Sequence, residues 1–357
     1  MYTLRPSSFA SLLALSAVGH SMPAACGSGA GDLVLNNFQL YPENADYDPA
    51  SDLAFFSVLY NASVAVYNPS SNSFEDNINF PQTMEPVFHA SGIDVDAANR
   101  KLSVLVNAGV AFDTEGANVT GDNFLYKVDL SSPERQVLWG TNLSAVTNGA
   151  YGGCQDAASD AAGNTYAVCT YPSAIIKVTP DGTQATPWYL SNYTAPGASP
   201  IEAGLSGIVP IGDFLVGTES RGRRLLRFDT KAAAPEPVEI PISGYNASVW
   251  GSSDGAFMPP KYDGKVLLVS DNTQGTTVLV STDGWQSAKQ VGFIPKMSEE
   301  AFSVASMQLR GRVYAVNEFF ADAANPKVPG TNAGPRAQFP LQDINKQVYS
   351  LVKSYVN

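Results

Sequence analysis

Short runs in which apolar and polar residues alternate, or in which β-branched and aromatic residues cluster, recur from end to end of the chain. Clusters of Gly, Pro, Asn, Asp and Ser separate them, and no stretch sustains a helical period, so the pattern predicts an all-β protein. The runs also group. A short strand, a polar turn, a stronger apolar strand, a loop, a third strand and a fourth repeat as SGIDVD, KLSVLVN, FLYKVDL and QVLWG, then as QDAASD, NTYAVCT, AIIKVTP and TPWYL. The same order continues in SGIVPI, DFLVGTE, RLLRFDT and PVEIP, and in SDGAFM, KVLLVSD, TVLVSTD and KQVGFI. LAFFSVLY, SVAVYNP and FEDNINF precede these units; FSVASMQL, RVYAVNEFF and a loop-rich tail follow them. Six units of roughly 50 residues result, and four-stranded units of that size stack radially as a six-bladed β-propeller with antiparallel blades around a central channel. Ring closure needs a strand from one end of the chain to complete a blade begun at the other. Both DLVLNNFQL and the tail KQVYSLVKSYV are free for that role, and the tail could equally be a short helix.

The first 21 residues depart from this pattern. Arg5, an apolar run from Phe9 to Val18 and small residues at Gly19 and Ser21 have the form of a cleaved secretory leader. Their apolar run is about half of the ~20 residues that a membrane crossing needs, and no later stretch is longer or equally free of charge. Residues 22–357 are then expected to form one propeller domain, secreted or in the lumen of the secretory pathway, without a transmembrane segment and monomeric.

An oxidising compartment changes the reading of the cysteines. Cys154 and Cys169 flank a turn centred on Ala161 to Asn164, which sets the two sulfurs opposite one another on neighbouring strands, so a disulfide is expected there. Cys26 has no evident partner. Five N-x-S/T acceptors, at Asn61, Asn118, Asn142, Asn192 and Asn246, suit a secreted glycoprotein. With 33 acidic against 21 basic residues, the net charge of −12 argues against nucleic acid or any other polyanionic partner. Only 15% of residues are charged while 44% are hydrophobic, which excludes disorder.

Several segments are similar to a known family. YPENADYDPASDLAFFSVLYNASVAVYNPSSNSF, GNTYAVCTYPSAIIKVTPDG, SGIVPIGDFLVGTESRGRRLLRFD and RVYAVNEFFAD resemble the Mala s 1-like fungal secreted propellers, which include trichothecene-cluster protein 14-like proteins. The resemblance covers most of the chain after the leader, and its motifs are structural. It implies a six-bladed propeller, an apolar ligand channel as in the allergen branch, and a natural-product or virulence role as in the toxin-cluster branch. A broader likeness connects the chain to gluconolactonase and strictosidine-synthase propellers, whose acidic calcium motifs have no residue-by-residue match here.

Topology then locates the chemistry. Loops before inner strands and after second strands converge on one mouth of a propeller's channel. Inner-strand starts are expected at Tyr47, His89, Gln155, Ser206, Trp250, Asp254 and Glu300, and second-strand ends at Tyr60, Asn107, Thr170, Glu219, Asp271, Asn272, Asn317 and Glu318. Such a mouth is polar, acidic and edged by aromatic residues, with the alternative that its Asn and Asp residues only form turns. Tyr47, Tyr60, Asn107, Gln155, Ser206, Arg221, Trp250 and Asn317 are the candidate ligand-binding residues, with Arg221 suited to an anionic or carbonyl-bearing group. His89 is the histidine whose ordinary pKa fits acid-base chemistry near neutrality; with Glu219 and Asp271 it makes a candidate proton-transfer set, against the blander role of a structural histidine. Substitution of mouth residues such as His89, Asn107 and Glu219 is expected to cost function and leave folding nearly intact.

Other motifs point nowhere. One histidine outside the leader cannot build a multi-histidine zinc site, and no cysteine pair has zinc spacing; calcium is the one metal the acidic mouth could hold, and no cofactor is called for. GSSDG at residues 251–255 has the G-x-S-x-G spacing around Ser253, but prolines follow where a nucleophile elbow requires a helix. Gly27, Gly29 and Gly31 lack the strand and helix of a nucleotide loop. Two functions fit the remainder. One is a secreted protein that binds a small apolar or amphipathic molecule, a lipid or terpenoid, as an allergen-like carrier. The other is an enzyme of fungal secondary metabolism that isomerises, cyclises or hydrolyses such a molecule without a cofactor.

Overall fold

A computed structural model describes residues 31–191, 204–220, 222–244, 252–324 and 331–356. The expected leader, Cys26, Arg221, Trp250 and the acceptors Asn192 and Asn246 lie outside them. Within the described residues the strands form six sheets of four or five strands, one for each unit of the repeat. Their inner strands are Pro42–Asp48, Phe88–Asp96, Gly152–Ser159, Leu205–Ile211, Ser253–Phe257 and Phe302–Leu309. Each contacts the next, and the last returns to the first, so the sheets form the blades of a six-bladed β-propeller.

The second strands read as unbroken apolar runs because each is buried on both faces. In Leu53–Val58, Leu53 and Phe55 pack toward the second blade, whereas Ala54 and Phe56 pack toward the sixth. The same alternation around the ring divides the core into wedges between neighbouring blades. Leu105 and Leu125 of the second blade meet Ala167 and Ile176 of the third. Farther round, Val216 and Leu225 of the fourth meet Leu267 and Leu279 of the fifth. Burial of this kind contributes ~1.5 to 3 kcal/mol per large side chain, against the entropy of ordering the chain.

The N-terminal segment closes the ring. Leu33–Asn36 pairs antiparallel with Gln338–Asp343 and becomes the outer strand of the sixth blade, covering an edge that would otherwise be open. The tail is a helix, Asn345–Val356, whose Val348 and Val352 are buried against the fifth and sixth blades. Of the two segments free to close the ring, the early one therefore does so. The expected hairpin and disulfide are present as well. Gly152–Ser159 and Thr165–Tyr171 pair with Cys154 opposite Cys169, and the two sulfurs are bonded. Of the described glycosylation acceptors, Asn118 is exposed, whereas Asn142 caps a short helix by accepting from the Ala145 N–H.

Candidate functional site

All six inner strands break register near their first residues, between Pro42 and Ala45, Ala90 and Ile93, Cys154 and Asp156, Leu205 and Ile208, Ser253 and Ala256, and Ser303 and Ala305. A bulge bends the strand and re-aims the side chains beside it. Four polar residues at these bulges, Glu43, Ser91, Gln155 and Asp254, line one cavity. The residue that follows must leave room for the neighbouring blade. A Cβ on Gly92 would lie 2.4 Å from the Gln155 carbonyl oxygen and 2.6 Å from the Asp156 Cα, so only glycine fits at that point.

Side-chain bonds fix these strands to one another. Asp156 accepts from the Ile208 N–H at 2.9 Å, and Asp46 from the Val95 N–H at 2.7 Å, each bridging adjacent blades. Gln155 donates to Asp254 at 3.3 Å. Ser253 begins an inner strand, and its hydroxyl lies 2.7 Å from that of Ser206 and 2.6 Å from that of Ser220. The G-x-S-x-G spacing thus belongs to a cluster of hydroxyls on a strand, and among the described residues no α-helix follows it directly.

At this mouth the residues enclose a cavity of about 720 Å³. Its floor is polar: Glu43, Gln155, Asp254, Ser253 and Thr170. Leu59, Tyr60, Phe112, Tyr171 and Phe320 supply apolar and aromatic wall, and Asp113 and Glu115 are exposed carboxylates on its lining. The Phe112 and Tyr171 rings meet edge to face at 5.9 Å, and Tyr60 meets His89 in the same way at 5.6 Å. Among the described residues no lysine or arginine lines the cavity.

The carboxyls of the floor are held away from their ordinary titration. Burial, with the nearby charges of Asp254, Asp156 and Glu318, raises the Glu43 pKa well above the usual range. Asp254 is pushed to about 7, chiefly by burial, against the Asn272 hydrogen bond that lowers it. Glu43 is 7% exposed, and its Oε2 has no hydrogen-bond partner. His89 shifts the other way. Its ring lies against Gly109, where a Cβ would come within 2.4 Å of it, and burial lowers its pKa while Asp113 acts in opposition. Burial therefore biases the imidazole toward its neutral form and the floor carboxyls toward their protonated forms, with Asp254 close to half-titrated at pH 7.

Of the sequence-derived candidates, Tyr60, His89 and Gln155 come together in this cavity, as do Thr170, Asp254 and Asn272. Ser206 adjoins it through Ser253. The others lie elsewhere. Tyr47, expected at the start of an inner strand, lies toward the opposite end of Pro42–Asp48 and donates to Asp52, because the strand begins five residues earlier than its polar sequence suggests. Asn107 is fully buried, donating to Ser91 and to the Cys154 carbonyl. Asn317 is likewise fully buried and donates to the Pro340 carbonyl.

The three proposed proton-transfer groups do not assemble. Glu219 is buried in an ion pair with Arg224 at 2.8 Å, and Asp271 accepts from the backbone of Thr273, Gln274 and Ser252, the behaviour of a turn former. Only His89 of that set reaches the cavity. Glu43, which is not among those candidates, lines the same cavity as His89. Aligning PENADYD on SGIDVD would have revealed it, since Glu43 corresponds to Ser91 and Asp46 to Asp94. A strand whose first residues face a polar channel shows no apolar alternation, and so escapes the period of two.

Residues 27–299 match the family described as Mal s 1 allergenic protein-like. Trichothecene biosynthesis protein 14 of Trichoderma arundinaceum is 33% identical over 340 residues, 90% of either chain. Core trichothecene cluster protein 14 of Fusarium sporotrichioides is 31% identical over 335 residues, 89% of this chain and 86% of its own. In fold, the Malassezia sympodialis allergen Mala s 1 superposes with a TM-score of 0.76 at 20% identity, over 88% of this chain and 96% of the allergen.

Proposed function

The chain belongs to the Mal s 1 allergenic protein-like family, and on that premise we propose that it is a secreted propeller of fungal secondary metabolism. In this reading it holds a small amphipathic molecule, a lipid or terpenoid, in the cavity at its channel mouth. The observation that carries the reading is the cavity itself. Its volume falls in the range of ligand pockets, its walls are aromatic, and its polar groups converge on one floor. The two relatives named for trichothecene biosynthesis or its gene cluster supply the metabolic context. An apolar body would rest against Tyr60, Phe112 and Tyr171, while an oxygen or nitrogen of the ligand would reach Gln155, Asp254 and Ser253.

One observation favours catalysis over storage. A buried carboxyl with an unpartnered oxygen, Glu43, shares the cavity with an imidazole biased toward its neutral form, His89. A proton donor and a proton acceptor are what a cofactor-free isomerisation, cyclisation or hydrolysis requires. The test is a deletion of the gene in the producing fungus, followed by mass spectrometry of its metabolites. An intermediate should accumulate, and it should be cleared by re-expression of the wild type but not of Glu43→Gln. An unchanged metabolite profile in the deletion strain overturns a role in biosynthesis.

A further inference from the structure

Three of the five N-x-S/T acceptors, Asn61, Asn118 and Asn142, lie among the described residues, and the fold treats them differently. Asn142 uses both ends of its amide: Oδ1 accepts from the Ala145 N–H at 3.1 Å, and Nδ2 donates to Asp122 at 2.9 Å. Ser144, the hydroxyl of the same motif, is buried, accepting from Asn123 and donating to the Gly121 carbonyl. Asn61 is half-buried and lines a groove with Leu40 and Val58; its Nδ2 donates to Ser63 at 3.2 Å, and Ser63 is fully buried. Folding thus draws both motifs into the structure.

The third motif stays outside. Asn118 and Thr120 are both exposed. The Asn118 Oδ1 accepts from the Thr120 N–H at 3.0 Å and from the Thr120 hydroxyl at 2.7 Å, while the Asn118 N–H donates to the Thr114 hydroxyl at 3.0 Å. Local bonds of this kind fix a turn. They engage the amide oxygen and leave Nδ2, the atom that N-glycosylation modifies, with no partner among the described residues. The acceptor is therefore available before the loop folds and remains so afterwards.

We infer that Asn118 carries an N-linked oligosaccharide and that Asn61 and Asn142 are left bare. The inference rests on the secretion reading above and adds a modified residue to it. In the transfer, Nδ2 attacks the anomeric carbon of the first N-acetylglucosamine of a lipid pyrophosphate-linked oligosaccharide. An N–C bond forms as the C–O bond to pyrophosphate breaks, one Nδ2 proton passes to a base of the transferase, and the lipid pyrophosphate leaves. Asn118 belongs to the loop between Lys101–Ala108 and Asn123–Asp129, whose Phe112, Asp113 and Glu115 line the cavity. Val119 packs against the third blade, where a Cβ on Gly152 would lie 3.0 Å from the Val119 carbonyl oxygen. The oligosaccharide accordingly stands on the rim between the second and third blades, beside the cavity lining, where its hydrated bulk hinders a macromolecule from covering the mouth on that side.

Peptide mapping of the full chain, expressed in its own producer and recovered separately from medium and cells, tests the inference. Peptide N-glycosidase in heavy-oxygen water should convert Asn118 to labelled aspartate and leave Asn61 and Asn142 as asparagine. Asn118→Gln and Thr120→Val should each remove the oligosaccharide from the intact mass, and Thr120→Ser should retain it, with little change in melting temperature. Label at Asn61 or Asn142 overturns the selection of Asn118, and absence of label at Asn118 overturns the modification. If bare Asn118 is found on chains in the medium that lack residues 1–21, the secretion reading stands and only the modification fails. If bare chains stay in the cells with those residues attached, both fail.

Discussion

At Glu43, Asp46 and Asp254, burial and neighbouring charge act in the same direction. Asp46 and Asp254 are each pushed to about 7, and Glu43 well above its ordinary range. In the unfolded chain these carboxyls titrate near ~4. Between the two values the folded state keeps protons that the unfolded state has lost, so raising the pH favours unfolding. For Asp46 and Asp254 that contribution is fully present below about pH 4 and is lost as the pH climbs to about 7, and Glu43 acts in the same direction. Differential scanning calorimetry should therefore show a higher melting temperature at pH 5 than at pH 7.5. A melting temperature that is flat or rising over that interval would contradict the assignment. Asp129 and Asp283, held at about 2 by hydrogen bonds, have the opposite sign; Asp283 is exposed and Asp129 partly so, and both act only at lower pH. Residue-level burial also revises what substitution should do. Asn107→Ala removes two donated bonds inside the second and third blades, and Glu219→Ala leaves Arg224 without its buried partner. Asn107→Ala should lower stability by ~1 to 3 kcal/mol in chemical denaturation, with any functional loss following from that. The sequence marks Asn107 and Glu219 correctly as second-strand ends, but position in a repeat does not reveal whether a polar side chain faces the cavity or is bonded beneath it.

Two elements carry stability that no single wedge of core supplies. Leu33–Asn36 covers the edge of Gln338–Asp343, and Leu35 is fully buried in the wedge between the sixth and first blades. Leu35→Ala should destabilise by ~2 to 5 kcal/mol, and removal of residues 31–36 should expose an edge and promote association, measurable by thermal melting and light scattering. The disulfide closes the hairpin of the third blade across a sequence separation of 15. Replacing both cysteines by alanine should cost ~2 to 4 kcal/mol, since the cross-link restricts the unfolded chain. These elements differ in legibility. Turn residues at Asp160 to Asn164 and the apolar alternation to either side place Cys154 opposite Cys169 from sequence alone. The closing strand is not decidable in that way, because DLVLNN and the tail both have apolar residues to bury, and only long-range packing assigns one to a strand and the other to a helix.

On the scale of the whole molecule, the fold is legible because every blade repeats the same problem, a sheet buried on both faces, and solves it with the same order of strands. The floor of the cavity is less legible. Its residues come from the bulged starts of inner strands, where channel-facing side chains replace the apolar alternation that announces a strand elsewhere. Glu43 and Asp254 lie far apart in sequence and acquire their shifted titration only when the ring brings them together. The proposed function requires that this ring-built cavity hold a small molecule. Native mass spectrometry of protein purified from its own producer tests it most directly, comparing the wild type with Asn332→Trp, which adds bulk at an exposed residue of the cavity lining. The wild type should carry a non-covalent small-molecule adduct and the variant should carry none, at an unchanged melting temperature. No adduct on either protein, or the same adduct on both, would contradict the account.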